Sequence, residues 1–109
     1  MTDAQTLAGP NIERDQLVSQ LRALRPTFER EGVTSMALIG SRARGDNRPD
    51  SDIDLTIEVD ARRKFSILDL IGVKHIVEDN LGLGADVIMR RSLKPDFRAS
   101  AERDAVDVY

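Results

Sequence analysis

The chain has 109 residues, sixteen of them basic and nineteen acidic, a net charge of −3 and no cysteine. That is the length of one domain with a modest core. The composition excludes a disulfide framework and a thiolate metal site, and the acidic balance argues against direct nucleic-acid binding as the main role. No apolar run approaches the roughly 20 residues of a membrane-spanning helix. Met1 to Pro10 lacks the basic and apolar regions of a signal peptide, and the absence of cysteine fits a reducing, cytoplasmic compartment.

Residues 1–10 are polar and read as a disordered N-terminus, leaving 11–109 as a single domain. Asn11 suits a helix N-cap, and Ile12, Leu17, Val18, Leu21 and Leu24 follow at helical spacing. Pro26 either kinks this helix or opens a second short one that carries Phe28 into the core and ends at Gly32. Val33 to Ile39 is an apolar run and predicts a first, central strand. A polar loop pinned by Gly45 and Pro49 leads to a second strand, Asp52 to Asp60. Ala61-Arg62-Arg63-Lys64 reads as a solvated basic loop, with contact to an acidic partner or to phosphate as the alternative.

Ser66 is a candidate cap for a helix to about Asn80, whose apolar stripe runs from Ile67 to Val77 and contains the lone His75. A single histidine with no cysteine or second histidine near it reads as structural or surface-exposed. Gly82 and Gly84 turn the chain into a third strand, Ala85 to Met89. A final helix is expected from Lys94-Pro95 to Ala105, and the tail Val106 to Tyr109 either packs or stays free. The elements predict an α/β fold, a small mixed sheet of three or four strands backed by helices.

The second strand alternates fully. Ile53, Leu55, Ile57 and Val59 face one way, and Asp52, Asp54, Thr56, Glu58 and Asp60 face the other. A solvated outer face explains Thr56 and Glu58. It explains Asp52 and Asp54 less well, because Asp is depleted in strands. Like charges at i and i+2 repel by under about 1 kcal/mol in water and by about a few kcal/mol at an effective dielectric near 20. A cation between them reverses the sign, and oxygen-only ligands suit Mg²⁺. The turn at Gly40-Ser41 lets backbone approach a ligand and points N–H groups at an anion. If residues 41–46 begin a short helix, its N-terminus adds partial positive charge. Arg42 and Arg44 follow, each either a phosphate ligand or an ion-paired surface side chain. With few aromatic residues, base stacking is not expected to dominate nucleotide binding.

Gly40-Ser41, ten residues, then Asp52-x-Asp54 resembles the signature of the polymerase-β-like nucleotidyltransferase superfamily. The Ala43-Arg44-Gly45 and Ser51-Asp52-Ile53-Asp54-Leu55 strings resemble the minimal nucleotidyltransferase (MNT) family, the antitoxin half of MNT–HEPN toxin–antitoxin pairs. The resemblance runs from about Leu17 to the C-terminus. It implies a polymerase-β-like fold and transfer of AMP from ATP to a tyrosine of a cognate helical HEPN ribonuclease toxin, which is thereby neutralised. It implies two Mg²⁺ ions held by Asp52 and Asp54, with Asp86, the sole acid of the third strand, as the third carboxylate. Gly40 and Ser41 would hold the terminal phosphates. The rival readings are a non-catalytic antitoxin that masks its partner by contact, and a small-molecule nucleotidyltransferase, although the chain has no room for the usual acceptor-binding domain.

Overall fold

The computed structural model describes residues 12–109. The helices are α1 (Arg14–Ala23), α2 (Arg25–Arg30), α3 (Gly40–Arg44), α4 (Ile67–Leu81) and α5 (Pro95–Asp104). The strands are β1 (Val33–Ile39), β2 (Ile53–Val59), β3 (Ala85–Met89) and β4 (Val106–Asp107). The sheet has four strands in the order β3-β2-β1-β4. β1 runs antiparallel to β2 and β4, and β2 and β3 are parallel, so α4 is the crossover of a βαβ unit. This is the expected mixed sheet, with β1 inside it.

Local chemistry accounts for most element ends. Helix α1 opens after Glu13, whose backbone N–H donates to Gln16 Oε1 at 3.4 Å; Asn11, the expected cap, lies outside the described residues. Pro26 sits in the first turn of α2, where its missing N–H costs nothing, so it opens a second helix and does not kink the first. Ser66 caps α4, its backbone N–H donating to Asp69 Oδ2 at 2.7 Å. Gly82, at φ +69°, terminates α4. The second strand is shorter than expected: Asp52 and Asp60 flank it. Pairing to β3 begins where the Ile53 N–H donates to the Gly84 carbonyl at 2.8 Å, one residue beyond Asp52. The tail packs. Val108 N–H donates to Met36 O at 2.8 Å, and the Tyr109 hydroxyl donates to Val33 O at 3.0 Å. Arg22 of α1 donates to the carbonyls of Val108 and Asp107 at 2.7 and 3.3 Å.

One apolar cluster joins Leu17, Val18 and Leu21 of α1, Phe28 of α2, and Val73, Val77 and Leu81 of α4 to Ile53, Leu55 and Ile57 of β2. The apolar half of the β2 alternation is thus the core face. His75 is exposed. In the basic loop Arg62 pairs with Asp60 at 3.1 Å, and Arg63 donates to Arg30 O at 3.0 Å. The opposite sheet face carries Ser35, Ala37 and Ile39 of β1 beside Glu58, Thr56 and Asp54 of β2, residue opposite residue. α5 packs across this second face through buried Ala101.

Candidate active site

Pleat and register place the carboxylates. Asp54 stands opposite Ile39 on one side and opposite Asp86 on the other. Residues in register on adjacent strands share a face, so the Asp54 and Asp86 side chains emerge side by side. Both line a cleft of about 450 Å³ between the sheet, α4 and α5. Crowding shows in the proton affinity of Asp54, which burial, Asp86 and then Asp52 raise above the usual carboxylate range, while Arg44 works in the other direction. Asp52 is exposed and acts on Asp54 through its charge, but it stands outside the cleft lining.

Each aspartate of the Asp-x-Asp pair rests against a glycine. A Cβ on Gly40 would stand 2.5 Å from Asp54 Oδ2, and one on Gly84 would stand 2.6 Å from Asp52 Oδ1. Real Cβ atoms do not approach oxygen so closely, so any larger residue would displace the carboxylate. Gly40 also adopts φ +77°, which disfavours any side chain. The glycine of the Gly-Ser turn therefore does two things: it reverses the chain from β1 into α3, and it leaves space for an aspartate on the next strand. Gly84 was not singled out from the sequence as part of a site; the register of β2 against β3 creates its role.

The two arginines part company. Arg42 is 2% exposed, neither on the surface nor in the cleft. Its Nε donates to Ser51 O at 3.0 Å and its Nη2 to Pro49 O at 3.2 Å, so it fastens the loop that delivers Asp52. Its Nη1 is buried with no hydrogen-bond partner among the described residues. Burial lowers the pKa of its guanidinium, and the nearby Asp52 charge opposes the shift. Expected as a phosphate ligand or a surface ion pair, Arg42 instead lies buried against the carbonyls of the short polar loop between α3 and β2, which need a donor. Arg44 is exposed, lines the cleft and pairs with Asp46 at 3.1 Å. Gly40 lines the cleft and Ser41 stands just behind it, its carbonyl accepting from Gly45 and Asp46.

The rest of the lining was not legible as a site. Leu70, Ile71 and Lys74 come from α4, and Phe97, Ser100 and Asp104 from α5. Phe97 is 54% exposed, so an aromatic does border the cleft. The one signal in the sequence was Lys74, a cation interrupting the apolar stripe of α4.

The donor set is compatible with a hard divalent cation: oxygen ligands only, mutual repulsion that a cation would relieve, and glycines cut back around both aspartates. Among the described residues no three His, Cys, Asp or Glu side chains are grouped closely enough to hold a metal ion by themselves. Mg²⁺ commonly takes one or two carboxylates and completes its shell with water and substrate phosphate.

Residues 18–108 match the family described as nucleotidyltransferase domain, and the chain belongs to that family. It is a nucleotidyltransferase of the minimal kind. It is 36% identical over 80 residues to protein adenylyltransferase MntA of Thermococcus cleftensis, covering 73% of this chain and 79% of that one. A solved structure assigned as a minimal nucleotidyltransferase superposes with TM-score 0.75 at 30% identity, covering 90% of this chain and 98% of that one. A chain from the complex of tri-AMPylated Shewanella oneidensis HEPN toxin with MNT antitoxin shares the fold, with TM-score 0.63 at 11% identity over 88% of this chain and 71% of that one.

Proposed function

We propose that this protein transfers AMP from ATP to a tyrosine hydroxyl of a cognate HEPN ribonuclease toxin and so neutralises it. The observation that carries the reading is the Asp54–Asp86 pair, in register on adjacent strands and opening into a cleft that Gly40 borders. Its support from relatives is the adenylyltransferase name of the Thermococcus cleftensis protein.

The acceptor oxygen attacks the α-phosphorus of ATP. A bond forms between that oxygen and phosphorus, the bridging P–O bond to the β-phosphate breaks, and pyrophosphate leaves with the electron pair. Gly40 and Ser41 hold the terminal phosphates by their backbone N–H groups. Asp54 and Asp86 would hold Mg²⁺, with the Asp52 charge beside Asp54 adding to the pull on the cation; when bound, the ion neutralises charge on the attacking and leaving oxygens. Asp86, exposed in the cleft, receives the acceptor proton. Arg44 adds positive charge at the triphosphate end. Adding AMP to the toxin places a bulky anion where an RNA phosphate must approach, so repulsion and steric block act together.

The test is incubation of the protein with Mg²⁺, labelled ATP and the product of the neighbouring gene, read by intact mass. Wild type is expected to add AMP to the toxin, and Asp54→Asn to abolish both the mass gain and the rescue of toxin-expressing cells. Full rescue by the mutant would favour masking by contact. No mass gain with any nucleoside triphosphate would remove the toxin as acceptor.

A further inference from the structure

We propose that Lys74 is a substrate-binding residue that neutralises the transferred α-phosphate from the side of the cleft opposite Gly40; this deepens the nucleotidyl-transfer reading and rests on it. Two cations line the cleft, Arg44 and Lys74. Arg44 already pairs with Asp46 at 3.1 Å, and Arg42 is buried against the loop carbonyls. Among the described residues the Lys74 side chain makes no ion pair or hydrogen bond, although Asp54 and Asp86 line the same cleft. A lysine of intermediate exposure with no partner among the described residues, lining a cleft that must hold a polyanion, is suited to bind one.

The strand order gives the position. Across the sheet the sequence is Asp86 on β3, Asp54 on β2, then Gly40 at the end of β1. Helix α4 packs against β3, on the far side of the carboxylate pair from Gly40. One helical turn beyond Lys74, Glu78 accepts from the Ala85 N–H at 3.0 Å, which fixes α4 at the start of β3. A triphosphate whose terminal groups sit at Gly40 therefore presents its α-phosphate between the carboxylates and Lys74. The lysine stands on the acceptor side, where it offsets charge on the phosphoryl group being transferred and leaves the departing pyrophosphate to Gly40 and Arg44.

The test is calorimetric titration of wild type, Lys74→Met and Lys74→Arg with Mg²⁺ and α,β-methylene-ATP, which resists cleavage at the α–β bridge, and separately with Mg²⁺ and inorganic pyrophosphate. Removing one charge-assisted contact should weaken binding of the ATP analogue by roughly tenfold to a hundredfold, leave pyrophosphate affinity within about twofold, and be largely rescued by arginine. Equal affinity of Lys74→Met and wild type for the analogue would overturn the assignment while leaving nucleotidyl transfer intact. An equal loss toward both probes would overturn the α-phosphate assignment in favour of a general field effect. Wild type that binds neither probe would instead overturn the nucleotidyl-transfer reading itself. Unchanged melting temperatures of the two variants exclude misfolding as the cause of a loss.

Discussion

Replacing Gly40 by alanine tests whether the turn and the carboxylate form one unit. Two costs are expected. A Cβ at φ +77° costs about 1–2 kcal/mol. Relieving its 2.5 Å approach to Asp54 Oδ2 means driving that side chain off its rotamer, a further 0.5–1.5 kcal/mol or so. Together about 2–3 kcal/mol should be lost, a fall in melting temperature of roughly 10–20 °C for a domain this size. Gly45→Ala separates the two costs, because Gly45 also has positive φ, +83°, and nothing within 4 Å of its would-be Cβ. That variant should lose the backbone cost alone and keep its transferase activity. Gly40→Ala should also lose activity by about a hundredfold, since a misplacement near 1 Å can cost that much. In an Asp54→Ala background, Gly40→Ala should be milder by about the rotamer cost, the coupling expected of residues in contact. Urea melts of the two alanine variants and of this double-mutant cycle, with initial rates of AMP transfer, give every quantity. Equal destabilisation by Gly40→Ala and Gly45→Ala, with no coupling to Asp54, would refute the reasoning.

Two further predictions concern the charged groups. The pKa of Asp54 is raised in the folded state by burial and by Asp86 and Asp52, so its contribution to stability is fully present below the unfolded carboxylate pKa, about 3.9, and is lost as pH rises through the higher folded value. Asp54→Asn should therefore be more stable than wild type in metal-free urea melts at neutral pH, with the gap closing toward pH 4; a gap that does not depend on pH would contradict the crowding of these carboxylates. Arg42→Ala should destabilise the fold by about 2–4 kcal/mol, the loss of two charged hydrogen bonds and of buried volume. At temperatures where the variant is fully folded its ATP affinity should stay within a few-fold of wild type, and a large affinity loss without a stability loss would restore Arg42 as a phosphate ligand.

The sequence by itself determined the elements and which strand face carries the carboxylates. Alternation along 53–59 separates a core face from a carboxylate face because the side-chain period of a strand is 2. Gly40 and Gly45 mark a turn because positive φ excludes most other residues, and Pro26 marks a helix start because its ring presets φ. These are local causes, and they are legible one residue at a time. What the tertiary structure decided is everything that depends on which strands are neighbours. The register of β2 against β3 sets Asp86 beside Asp54 and turns Gly84 into space for Asp52, facts with no trace in either segment alone. The same packing buried Arg42 against the carbonyls of a short polar loop, which needed a donor within reach. It also brought Lys74 and Phe97 to the cleft from two helices, of which only the first carried a mark in the sequence, a cation within an apolar stripe. A sequence specifies which groups can donate, accept or ligate, but the distances between groups far apart in the chain exist only once the sheet has closed.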